Sequence, residues 1–168
     1  MEARTAVDNW LRPFLFVAEG HPLSVPSHEV AYTAGFFDGE GCVNIARYLK
    51  RGRPYHILAI IFTNTNFQVL EWLHQRWGGN LIRQVVRGNP RHRPCGYLRL
   101  SPGPARPLLI AMLPYLIIKK SEAEIALQFI EAKSDNRTGR KGDPAALARR
   151  ADLATSLPRP RSRFTDFN

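Results

Sequence analysis

The residues best equipped for chemistry lie in one short run, Thr33-Ala34-Gly35-Phe36-Phe37-Asp38-Gly39-Glu40-Gly41. Gly35 and Gly39 are four apart, so they share one helix face and let a second helix approach closely. That approach could be a crossing within the chain or a seam between two copies. The chain carries only one such helix, which favours a symmetric pair of copies, with Ala34, Gly35 and Asp38 assigned to the seam. Asp38 and Glu40 stand about 200° apart around a helix and do not share a face. Asp38 can serve the helix terminus or neighbouring backbone, whereas Glu40 projects toward the start of the sheet. Taken alone, a Glu after a helix is an ordinary surface charge. In the same way, Lys119 and Lys120 at a helix start are solvated cations. Asn64, just before Thr65 and Asn66, is a turn cap.

Other chemistries are poorly supported. Cys42 and Cys95 are the only cysteines, and they form no CxxC pair. The five histidines, His21, His28, His56, His74 and His92, have no zinc-ligand spacing with them. No phosphate loop or nucleophile elbow occurs, so no small-molecule cofactor is expected. No apolar run nears the ~18 residues of a membrane span, and the N-terminus does not read as a signal peptide. The expected setting is intracellular: cytoplasm or nucleoid of a prokaryote, or an organelle. With 24 Lys+Arg against 14 Asp+Glu, the net charge of +10 on 168 residues points to a polyanion, nucleic acid before membrane.

The elements that must position these residues are set by periodicity and turn signals. Residues 1–26 read as an apolar, proline-interrupted arm. Ser27 is the expected N-cap of a helix from His28 to Gly39. Strands are expected over 42–50 and 55–65, joined by a basic turn. Asn66 caps a helix over 67–77, closed by Gly78 and Gly79. Strands over 80–87 and 95–101 come next, then helices over 105–113, after a break at the prolines, and 119–133. A short helix fits 144–156 inside a tail, 134–168, rich in Arg and Lys; residues 133–168 hold nine Lys/Arg and four Asp/Glu. The domain proper is 27–133. The fold class is α+β: four antiparallel strands with helices packed on one face and the other face free.

The run at 33–41 closely resembles the motif of the LAGLIDADG homing endonucleases. Thr33 replaces the first Leu, Phe36 and Phe37 the Leu-Ile pair, and Glu40 the last Asp. The αββαββα order over residues 28–133 is similar to the family's as well. The resemblance implies a homodimeric, intron- or intein-borne, site-specific DNA endonuclease. It implies that Glu40, with the Gly39 carbonyl, holds Mg2+, for which Mn2+ or Ca2+ can substitute in binding. Carboxylate, carbonyl, water and phosphate oxygens suit such a hard cation. Leu113-Pro114-Tyr115-Leu116-Ile117-Ile118-Lys119-Lys120 resembles a second family segment, implying Lys119 in the cleavage pocket, with Lys120 the next best match. Asn64 matches a polar position that organises water near the metal.

Strand parity then sorts the expected contacts to double-stranded DNA. With Leu58, Ile60 and Phe62 inward, Tyr55, Ile57, Ala59, Ile61 and Thr63 turn to the free face, joined by Asn44, Ala46, Tyr48 and Lys50 from the first strand. Tyr97 and Arg99 join from the fourth, and Gln84, of ambiguous parity, from the third. Arg51, Arg53, Arg91, His92 and Arg93 sit on turns and suit phosphates. Two alternatives stay open: the same fold as an RNA splicing maturase or regulator without cleavage, and a basic structural RNA-binding protein.

Overall fold

The computed structural model describes residues 25–50, 52–84, 94–132 and 143–157. The elements run α1 (Ser27–Glu40), β1 (Gly41–Lys50), β2 (Arg53–Asn64), α2 (Phe67–Trp77), β3 (Asn80–Gln84), β4 (Cys95–Leu100), α3 (Pro102–Met112), α4 (Lys120–Glu131) and α5 (Pro144–Ser156). The sheet is antiparallel throughout, in the order β1-β2-β4-β3. The expected α+β class and four-stranded sheet are those observed. The expected arm, Arg51, and the loop with Arg91, His92 and Arg93 lie outside the described residues.

The registers fix both faces. Val43 opposes Ile60, and Phe62 opposes both Gly41 and Leu98. These inward residues form one core with Phe37, Leu70, Leu73, Leu109, Met112, Leu127 and Phe129 of the helices. The other face carries Asn44 opposite Ala59, Tyr48 opposite Tyr55, and Thr63 opposite Tyr97. Ile61 was expected to be open there but is only 6% exposed. Ile61 lies between β1 and β4, which pairs with β2 over Ile60–Asn64, and Ala59, expected on the same face, is likewise only 2% exposed. Tyr55 and Ile57 have only β1 beside them and remain partly exposed.

Local chemistry explains most boundaries. Asn66 caps α2, its side chain accepting from the Gln68 N–H at 2.9 Å. Gly78 and Gly79 come next with φ of 69° and 94°, which a residue bearing a side chain rarely adopts. Ser27 is not the N-cap of α1: Pro26 takes that place, its carbonyl accepting from Glu29 and Val30, and Ser27 is the first helical residue. α3 starts three residues before the expected 105. Prolines in a first turn forfeit no intrahelical bond, since those N–H groups have no partner, so Pro102 opens the helix instead of breaking the chain.

α1 is held by polar contacts as well as by its buried stripe. Arg76 forks onto Glu29 at 2.7 and 2.8 Å while lying 4.5 Å from the Trp72 ring centre. Thr33 is fully buried but satisfied: its hydroxyl donates to the Glu29 carbonyl at 2.7 Å and accepts from the Trp77 indole at 3.4 Å. Gly41 is required because the Phe37 ring occupies the place of any Cβ.

Asn66→Ala should therefore cost about 1 kcal/mol, and Gly41→Ala about 1–3 kcal/mol through overpacking. Urea unfolding monitored by circular dichroism, with the two midpoints ranked in that order, checks both.

Candidate active site

The C-terminus of α1 is clamped to the loop that precedes α4. The Asp38 carboxylate accepts three backbone N–H groups, from Ile117 at 2.8 Å, Ile118 at 3.2 Å and Lys119 at 2.9 Å. In return the Lys119 ammonium donates to the Phe37 carbonyl at 3.1 Å and to the Asp38 carbonyl. A cation there meets carbonyls at the negative end of the helix dipole. Burial works to raise the Asp38 carboxyl, but the three backbone donors and the Lys119 charge outweigh it and hold the group below its ordinary value.

This clamp fixes where Glu40 stands. Glu40 is the last residue of α1, exposed, and directly precedes Gly41 at the start of the sheet. Gly41 pairs with Phe62, which Thr63 and Asn64 follow at the end of β2. Asn64 has a local duty: its Oδ1 accepts from the Asn66 N–H at 2.8 Å, so it shapes the entry to α2. The geometry thus puts the Lys119 ammonium on the carbonyls just before Gly39 and Glu40, with Asn64 committed to its turn.

Two further residues belong here. Cys42 and Glu122 both feel the Lys119 charge, and Glu122 also feels Asp38. Burial raises the Cys42 thiol and the Glu122 carboxyl above their ordinary values, so Cys42 is a poor nucleophile. Glu122 lies three residues after Lys119, one helical turn on, a spacing that could have marked it in the sequence.

The residues assigned to the seam separate. Ala34 is 0% exposed; with Val30, Thr33 and Phe37 it forms the stripe that packs α1 on its own sheet, so it cannot flank a partner helix. Asp38 is taken up by the clamp. Gly35 and Gly39 remain open, with nothing within 4 Å of an added Cβ. Nearby stand uncovered apolar side chains: Tyr32 at 53%, Ile117 at 88% and Ile118 at 73% exposure.

Of the expected DNA contacts, Tyr48 and Tyr55 stack on the free face with ring centres 5.6 Å apart. Asn44, Ile57, Tyr97 and Arg99 share that face, half-buried. Lys50 opposes Arg53 in the register of β1 and β2, and Gln84 opposes Cys95 in that of β3 and β4. Asn80 and Ile82, opposite Arg99 and Tyr97, belong to the free face too and are missed in the sequence, since the adjacent Leu81 and Ile82 break the alternation that would show parity.

No protein-family model matches the sequence, and no curated protein does. Solved structures do match. I-CvuI, a homing endonuclease solved in complex with its target in the presence of Ca, is 21% identical with a TM-score of 0.61, over 77% of this chain and 79% of that one. An archaeal intron-encoded homing endonuclease complexed with DNA gives 17%, 0.62, 76% and 80%. The LAGLIDADG homing endonuclease I-GzeII, in complex with a DNA target, gives 14% and 0.62, over 77% of this chain but 44% of that one. The chain has the LAGLIDADG homing-endonuclease fold. Among the described residues of this homing-endonuclease fold, no helix is long and apolar enough to cross a membrane.

Asp38→Ala should remove the shared acceptor of three N–H groups, costing about 1–2 kcal/mol because water can replace it at the exposed Ile117 and Ile118, and release the 117–119 loop. Because the folded Asp38 carboxyl is lowered, its stabilisation is complete above the ordinary value of 3.8 and is lost as the pH falls from there through the folded value. Melting temperatures of wild type and Asp38→Asn should therefore converge as the pH falls through the folded Asp38 value and diverge toward neutrality.

Proposed function

We propose that the protein is a site-specific DNA endonuclease that hydrolyses both strands of a long, near-palindromic duplex as a homodimer using Mg2+. The observation that carries this is the exposed Gly39–Glu40 terminus of α1, held beside Lys119 at the margin of a free sheet face.

Two copies are supported from both sides of α1. The open glycines allow close helix approach, and Tyr32, Ile117 and Ile118 form an apolar surface around them that a partner would cover. The lengths agree with this: one copy spans less than half of I-GzeII but most of I-CvuI. Paired along α1, two copies bring two Glu40 side chains together and set two free sheet faces side by side, which suits a two-fold symmetric site.

The donors fit a hard cation. One carboxylate and one backbone carbonyl per chain are oxygen ligands, and no described group of three His, Cys, Asp or Glu competes for a softer metal. Glu40 and the Gly39 carbonyl would hold the ion, with waters and scissile phosphate completing the shell. A bound Mg2+ supplies an activated water and charge stabilisation for the leaving oxygen. The chain's own part is to orient. The clamp sets Glu40, Lys119 places positive charge beside it, and Asn44, Tyr97 and Arg99 present hydrogen-bonding groups to base edges.

One observation favours a second reading, a nucleic-acid-binding regulator or RNA splicing maturase without cleavage. Lys119 is already engaged by two helix carbonyls, so its ammonium must leave them to meet phosphate.

Plasmid nicking with Mg2+ separates these readings. Wild type should cut, and Glu40→Gln should lose activity on the order of 10²-fold or more while still binding DNA. A folded wild type that binds duplex but leaves it intact across metals supports the regulator. For the dimer, Ile118→Asp should shift the sedimentation coefficient from two copies to one without lowering the helix signal. A wild-type monomer on DNA contradicts the proposal.

A further inference from the structure

Away from Glu40, on the helix-covered side of the sheet, three basic side chains from three elements converge. Arg47 of β1 and His56 of β2 are partners in the register, on the same side as Ile45 and Leu58. α5, packed over β2, brings Arg150, whose guanidinium lies 4.1 Å from the centre of the Phe129 ring. Burial, then the charges of Arg150 and Arg47, hold the His56 imidazole below its ordinary value. Burial lowers Arg150 as well, and its Nε–H is enclosed with no acceptor among the described residues. The ion pairs among those residues involve none of the three. Near neutral pH this leaves His56 uncharged between two guanidinium charges, and the Arg150 charge, partly removed from water, raises the energy of the fold unless an anion offsets it.

We propose that Arg47, His56 and Arg150 form a cradle for a backbone phosphate of nucleic acid passing the distal end of the β1–β2 hairpin. Guanidinium forks match phosphate oxygens, and Arg47, exposed on the rim, can swing onto them. Nucleic acid is the source because the chain carries a net charge of +10 and because the same hairpin presents Tyr48 and Tyr55 on its other side. A strand leaving the free face at the hairpin end meets this cluster next. The tail helix thereby becomes part of the binding surface, reading no sequence but adding charge-dependent affinity. The inference rests on nucleic-acid binding by the proposed reading and is independent of cleavage.

The test is the salt dependence of binding by the full chain to a duplex that extends beyond the two sheet faces. Arg47→Gln/Arg150→Gln should reduce the slope of log K against log salt by about 0.9 for each phosphate no longer neutralised. The reduction should be equal on specific and random sequences, and a duplex trimmed to the sheet faces should not show it. Arg150→Lys, which keeps the charge, should retain the slope. If the double variant melts early, Arg47→Gln alone, altered at an exposed rim, is compared. An unchanged slope in folded variants overturns the cradle. So does inorganic phosphate raising the wild-type melting temperature, and not the variant's, with the DNA slope unaltered, which would mark a site for free phosphate only. A slope that falls while wild type fails to cut leaves the cradle standing and removes the endonuclease. Cutting with an unchanged slope does the reverse.

Discussion

The reciprocal clamp between Asp38 and Lys119 is the contact on which the site's geometry depends. It joins residues about eighty apart in sequence. A carboxylate gathers three N–H groups just before α4, and the same loop returns an ammonium to the carbonyls that end α1. Each side meets unsatisfied backbone groups of the other, so neither end needs water to satisfy it. Gly39 and Glu40, the next two residues, are thereby carried on a rigid stub and not on a frayed helix end.

That arrangement divides labour within one helix. The stripe Val30, Thr33, Ala34 and Phe37 is given to the core, Asp38 to the clamp, and Glu29 to Arg76. The part of α1 left uncovered is narrow: two glycines, a tyrosine and the terminal acid. The sheet is divided in the same way, since parity commits every second residue inward and Ala59 and Ile61 are closed even on the free side. The accessible part of the free face is concentrated in the outer residues of the hairpin and in Tyr97 and Arg99.

Much of this was legible in the sequence because it is local. Asn66 and the Gly78-Gly79 pair bounded α2 correctly, and Pro144 marked the start of α5 as observed. Strand parity came from Leu58, Ile60 and Phe62. The unread parts are those decided by distant contacts. Nothing near Ala34 says that it faces its own sheet, because Gly35 and Ala34 look equally small until the helix is docked. Asp38 could be read as serving backbone, but not which backbone. The proline at 102 looked like a break because a helix start and a helix stop use the same residue. The grouping of Cys42 and Glu122 with Lys119 needed the loop before α4 to be brought back to the sheet.

The Phe37 ring resting on Gly41 has a consequence for how this chain can change. The ring fills the space where a side chain at 41 would go, so the two positions behave as one site occupied from either end. A slimmer residue at 37 would vacate that volume and admit a methyl at 41; a methyl alone would push the acid-bearing turn out of line. Drift at one position is thus tolerable only in step with the other, and a designer who wants to re-aim Glu40 without touching it has in this pair a lever already built.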